Sequence, residues 1–303
     1  MLTPENIRHF SNAVRTPTPE IAPAALLLAK LEYSTLDIRP YLNQLEQLGA
    51  EASERVSSLS DTADPLAKAT AISSFLFQEK GFHGNTDSYD DLRNSFLNEV
   101  LDRRTGIPIT LAVVYIEIAR RAGIVIDGVN FPGHFLLKVP SHPDAPANDY
   151  QHVVMDPFRG GKVLSEVDCQ NLLRKHTGEE QTFDQRLLAP ATKQDILLRM
   201  LTNLKRIYVR MRSFPQAHTI TNMLLTLKPS AMTELRDRGL LAYQLNNFPA
   251  ALEDLESYLR FSSHTEPAMS RRGETDGNTN ERTEQDEIWE HVKALRRRVA
   301  SLN

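Results

Sequence analysis

The chain has 303 residues, a formal net charge of −4, and 41% hydrophobic and 24% charged residues. That length suits two modest domains, the composition is that of a globular protein, and the charge is too small to signal a nucleic-acid surface. A single cysteine, Cys169, excludes an internal disulfide. No uncharged apolar run approaches the roughly 20 residues that span a bilayer, so neither a membrane nor a nucleic acid is an expected partner. The opening MLTPENIRHF lacks the basic and apolar regions of a signal peptide. A cytoplasmic location is the expectation.

The first hundred residues read as helices. IAPAALLLAKLEY is apolar at helical spacing, and PYLNQLEQLGAEASERV places Tyr41, Leu42, Leu45 and Leu48 on one stripe. Asp64-Pro65 is a helix start, an acidic cap followed by proline, and LAKATAISSFLFQEK then stops at Gly81. DLRNSFLNEVLDRR reads as a fourth helix ending before Gly106, and Pro108–Ala122 as a fifth, apolar nearly all round and therefore buried. Strand-like segments follow at 125–131, 134–139 and 151–156, with a short strand at 162–164 after Gly160-Gly161. Ser165 caps a helix to about Lys175, with Asp168 in the reciprocal position. Helices followed by consecutive strands describe an α+β domain with an antiparallel sheet. The paired arginines at 103–104, 120–121 and 296–298 sit near predicted helix ends and read as solvated.

From about residue 191 the chain is helical and repeats itself. Phe214-Pro215-Gln216-Ala217 recurs as Phe248-Pro249-Ala250-Ala251, a shift of 34 residues that also carries Met211 onto Leu245 and Leu225 onto Leu259. A 34-residue helix–turn–helix period is the signature of tetratricopeptide repeats. Small alanines at 217 and 251 let paired helices approach, and Phe214 and Phe248 fill the gap between pairs. Two legible units need a cap, which LLAPATKQDILLRML or the first domain would supply. Residues 263–286 have a linker's composition, and 287–303 read as a terminal amphipathic helix capping the repeats. The expected domains are 1–190, 191–262, this linker and this helix.

Three side chains stand out. Thr110 lies in the first turn of the 108–122 helix, where free N–H groups and the helix dipole stabilise an anion. Antiparallel pairing of the 134–139 and 151–156 strands would bring His134 and Asp156 to one side of the sheet, where the aspartate orients the imidazole. Each also has a bland explanation: a hydroxyl on a first-turn amide, a core histidine on a carbonyl, an Asp-Pro turn. Asn98 and Asn130 are polar residues near the same place. Cys169 shares a stripe with Leu172 and Leu173 and reads as core. His142 and His152 lack the compact spacing of a zinc site, so no metal and no cofactor is expected. Arg159-Gly160-Gly161 is an anion site or a tight turn.

LNEVLDRRTGIPITLAVVYIEIARRAGI, VNFPGHFLLKV and MDPFRGG resemble the SirB-one type of the transglutaminase-like superfamily, over roughly residues 20–260. The resemblance implies a papain-like α+β core followed by tetratricopeptide repeats. It further implies a nucleophilic cysteine at the start of a buried helix, with histidine and acid on successive strands. His134 matches that histidine and Asp156 that acid, while Thr110 stands where the cysteine would be. A threonine hydroxyl is far less acidic than a thiol, and known threonine nucleophiles use their own terminal amine as base, which a mid-chain residue lacks. The expectation is an impaired triad in an adaptor or regulatory protein that binds a protein or peptide through its repeats. The rivals are an active hydrolase or acyltransferase using Thr110, His134 and Asp156, and a first half that merely caps the repeats. No sequence feature specifies an oligomeric state.

Overall fold

The architecture is that of a computed structural model describing residues 4–15, 20–60, 63–140, 153–178, 182–262 and 278–300. Helices α1 (Pro4–Arg15), α2 (Ile21–Ala29), α3 (Arg39–Ser57) and α4 (Pro65–Ser73) open the chain. Asp64 caps α4, accepting the Ala67 N–H at 2.6 Å, with Pro65 in the first position. A π-helical turn (74–79) continues α4, and Gly81 ends the run at φ +73°. The predicted fourth helix is broken: a 3₁₀ turn (92–95) and α5 (Leu97–Arg103) are separated by Phe96, which is extended and fully packed. The break orients the Asn94 carbonyl towards the next helix. A short parallel pair, β1 (His83–Gly84) with β2 (Thr105–Gly106), was not foreseen.

Helix α6 (Pro108–Arg121) is buried along nearly its whole length, as its apolar circumference demands. Its Tyr115 hydroxyl donates to the Ala69 carbonyl (2.5 Å) and lies 3.2 Å from Ser73 Oγ, locking α6 to α4. At its far end Arg121 is not solvated, contrary to the expectation. It pairs with buried Glu117 and with Glu46 of α3 (2.8 Å), and a Cβ on Gly49 would collide with its stem. Stems of basic side chains cover apolar surface while the head finds a partner, so a helix-end arginine becomes packing.

The sheet has the order β6-β5-β4-β3-β7, wholly antiparallel, from β3 (Asp127–Val129), β4 (Leu136–Val139), β5 (Val153–Asp156), β6 (Lys162–Leu164) and β7 (Pro190–Ala191). Strand β4 starts two residues after His134, which sits in the preceding turn rather than on the strand. Helix α7 (Glu166–Thr177) begins at the expected capping box of Ser165 and Asp168. It buries Cys169, Leu172 and Leu173 against Val129, Leu136, Val154 and Leu164. His142 and His152 lie outside the described residues.

Helix α8 (Lys193–Arg210) starts later than LLAPATKQDILLRML suggested, because Thr192 and Asp195 form a capping box there. The chain divides within it into two compact units, 1–203 and 204–303. In the second, α9 (Phe214–Leu227), α10 (Met232–Gln244), α11 (Phe248–Ser262) and α12 (Asn278–Ala300) follow. The 34-residue period is repeated in backbone detail. Arg212 and Asn246 both take left-handed conformations (φ +57° and +59°). Ser213 N–H donates to the Tyr208 carbonyl as Asn247 N–H does to that of Ala242, both at 2.9 Å. Ala217 and Ala251 are fully buried, while Phe214 is only half-buried. Helix α12 begins at Asn278, inside the expected linker, and its Ile288, Val292 and Leu295 pack on Phe248, Ala251 and Leu255.

Candidate functional site

The site is assembled by turns at the ends of β-strands. Phe131-Pro132-Gly133-His134 forms a turn closed by His134 N–H on the Phe131 carbonyl (3.0 Å). Gly133 has φ +68°, and a Cβ there would collide with the Cβ of His176 near the end of α7. Glycine is therefore required twice, for the conformation and for the close approach. The His176 ring stacks on His134 (centroids 5.8 Å, interplanar angle 26°), and Phe158 meets His134 edge-on at 6.0 Å.

Strand β5 ends at Asp156, which is wholly buried; His134 is 6% exposed. Asp156 Oδ1 lies 2.9 Å from His134 Nε2 and accepts the Phe158 N–H at 3.0 Å. One oxygen thus both meets the imidazole and closes the Asp-Pro turn. A carboxylate only accepts, so Nε2 carries the hydrogen, and in a neutral ring the lone pair falls on Nδ1. Among the described residues no hydrogen bond reaches that nitrogen. Asp156 Oδ2 is buried without a hydrogen bond, with Arg159 Nε at 3.7 Å. Burial, and then the neighbouring His134, hold His176 below the ordinary histidine pKa.

Thr110 is equally buried but differently engaged. Its Oγ1 accepts the Ile107 N–H (3.1 Å) and has the carbonyls of Asn94 (2.8 Å) and Ile107 (3.1 Å) as acceptors for its single hydrogen. This is the third-residue half of a capping arrangement, tying α6 to the 92–95 turn. Among the described residues no hydrogen bond joins Thr110 to His134. Asn98 is buried on α5 with its Oδ1 unpartnered, and exposed Asn130 accepts from Arg199 (3.2 Å); neither bonds the imidazole. Cys169 sits in the α7 core cluster, where burial pushes its thiol up to about 11. His176, Phe158 and Asn94 escaped the sequence reading. Phe158 lies inside the DPFRGG string, whereas the other two carry no local signal.

The chain thus carries, in order, a buried helix, a histidine in a turn before a strand and an aspartate at a strand end. Residues 39–202 match the transglutaminase-like superfamily and 204–276 the tetratricopeptide repeat. The chain belongs to the transglutaminase-like superfamily. It is 40% identical over 261 residues to a UPF0162 protein of Xylella fastidiosa (strain Temecula1), covering 85% of this chain and 89% of the relative. A UPF0162 protein of Vibrio cholerae is 30% identical over 65% of this chain and 70% of its own length. The chain is also similar to human F-box only protein 21, 28% identical over 183 residues, which are 59% of this chain and 28% of that protein. No solved structure gives a significant match. The transglutaminase-like fold followed by helical repeats, expected from GIPITL, FPGHF and DPF, is therefore established. Among the described residues no helix is long and apolar enough to cross a membrane.

Proposed function

We propose that this transglutaminase-like protein works as a binding or regulatory protein, with its former catalytic pocket serving recognition and its repeats holding a protein or peptide partner. One observation carries the reading: the Thr110 hydroxyl is fully buried and bonded to the backbone of Ile107 and Asn94. To act as nucleophile it would break those bonds and lose a proton far less acidic than a thiol's. Extended repeat surfaces suit peptide binding, and the tetratricopeptide match supports a protein partner. A cytoplasmic location belongs to the same reading.

The test is turnover of peptide, amide and ester substrates by the wild type, Thr110→Ser and His134→Ala. None is expected to turn over. Wild-type turnover lost in His134→Ala overturns the proposal. Partner capture that survives removal of the chain after residue 203 overturns the role given to the repeats.

A second reading rests on His134 Nδ1, the ring's free lone pair. In that reading it takes a proton from water, with Asp156 behind the ring supporting the role. Turnover that persists in Thr110→Val and disappears in His134→Ala selects this water-activating hydrolase over a threonine nucleophile.

A further inference from the structure

Beside the histidine–aspartate pair, on β4, β5 and β6, lies a cleft of about 560 Å³, within the size range of small-molecule sites. Lys138, Val154 and Leu164 are consecutive cross-strand partners and form one row of its floor. Phe183 and Leu188 add apolar walls, Val163 borders the cleft at the β6 edge, and Cys169 of α7 contributes its buried side. None of the residues lining it is Thr110, His134 or Asp156, and no part of the inference rests on the function proposed above.

Among the described residues the one cation lining this apolar space is Lys138. An ammonium has three donors; one goes to the Leu188 carbonyl at 3.2 Å. Among the described residues no carboxylate lies within ion-pairing distance of it. Asp127, its cross-strand partner on β3, attracts it without forming an ion pair, and desolvation, the larger influence, pulls its pKa down. A partly desolvated charge held by a single neutral carbonyl is under-compensated. Among the described residues the one anion of the lining, Glu166, is exposed and occupied by Gln170 at 3.0 Å. Charge complementarity therefore calls for an anionic head at Lys138, and the valine, leucine and phenylalanine walls call for an aliphatic body.

We propose that this cleft binds an aliphatic carboxylate, its head on Lys138 Nζ and its chain along Val154, Leu164 and Phe183. A free short-chain acid and the C-terminal residue of an apolar peptide share that chemistry. Butanoate, hexanoate, octanoate and N-acetyl-leucine are titrated into the full chain, with 1-hexanol as the neutral control, while methyl NMR signals of Val154 and Leu164 are followed. Saturable one-site shifts that tighten with chain length are expected. Losing one charged hydrogen-bonding partner predicts at least about tenfold weaker binding for hexanol and for Lys138→Met. Gln185 lines the cleft and is exposed, so Gln185→Glu keeps the fold and repels the ligand, providing a second variant. Tighter binding of N-acetyl-leucine than hexanoate assigns the site to peptide ends, and the reverse to free acids. Absence of saturable shifts for every acid, or equal binding by Lys138→Met, overturns the proposal.

Discussion

Both units use left-handed backbone, for opposite reasons. In the first, Gly133 turns the chain where it must press against His176, and a single added Cβ would strike the histidine stem. In the second, Arg212 and Asn246 occupy the same conformation 34 residues apart, and the turn there serves a local helix–helix connection that occurs twice. A turn that creates a one-off convergence tolerates one residue type. A turn that closes a repeated local unit tolerates several, at a modest energetic cost. The transglutaminase-like unit therefore concentrates its vulnerability in a few places, whereas the repeats spread theirs.

Five changes sharpen that contrast. The largest effect is expected from Gly133→Ala, which combines left-handed strain with overpacking and should cost about 3 kcal/mol in denaturant unfolding. It should also separate the two histidine rings, visible as shifted imidazole NMR signals. A loss under about 1 kcal/mol would show that the turn is not pinned.

Next, Thr110→Val removes a hydroxyl that serves the Ile107 amide and the Asn94 carbonyl, leaving buried groups unpaired at a cost of about 2 kcal/mol. Thr110→Ser should recover most of that loss. If serine is as damaging as valine, the methyl group rather than the hydroxyl holds α6 in place.

In the repeats, Arg238 grips Asp254 through two bonds (2.7 and 2.6 Å) and Asn222 through a third (3.1 Å), joining α9, α10 and α11. Arg238→Met should cost about 1–2 kcal/mol, since Asp254 is nearly buried. Limited proteolysis should then show the repeats opening while the first unit stays protected. Simultaneous opening of both would contradict quasi-independent behaviour.

The pH response compares the two units directly. Burial depresses both His176 and His218, with His134 and Arg238 as the respective neighbouring charges. A depressed histidine stays neutral in the native state while the unfolded chain takes up a proton near pH 6.5. Its contribution is thus present at neutral pH and lost as pH falls from about 6.5 towards the lower native value. His176→Gln should flatten the acid-side decline of the first unit alone, and His218→Gln that of the second. An unchanged slope in both variants would locate the pH sensitivity elsewhere.

The smallest effect has the opposite sign. Asn246→Gly relieves left-handed strain where no long-range contact depends on the side chain, and should raise stability by a few tenths of a kcal/mol or leave it unchanged. The same glycine at 212 should behave alike. Different signs at the two positions would break the equivalence of the repeats.

Much of this architecture was legible in the chain. The caps at Asp64 and Ser165, the buried character of the 108–121 helix and the 34-residue period all depend on residues close in sequence, and each appears where its pattern placed it. Readings failed where a distant partner prevailed over a local preference. DLRNSFLNEVLDRR has helical spacing throughout, yet Phe96 leaves the helix to reach the core. Arg121 looks like a solvated helix end until Glu46 and Gly49 arrive from α3, about 70 residues earlier. His176 follows an ordinary basic helix terminus and joins the imidazole of His134 only because α7 packs beneath the turn.

By itself the sequence determined the helical starts at Pro65, Pro108 and Glu166, the antiparallel succession of strands, the repeat period and the identity of the polar side chains, because all of these follow from local propensity and spacing. Tertiary structure alone decided which polar atoms share hydrogens: His134 with Asp156, Thr110 with the backbone of Asn94 and Ile107. A hydroxyl has one proton and a buried site few acceptors. The nearest well-aligned carbonyl takes that proton, and its identity is settled by how remote segments pack.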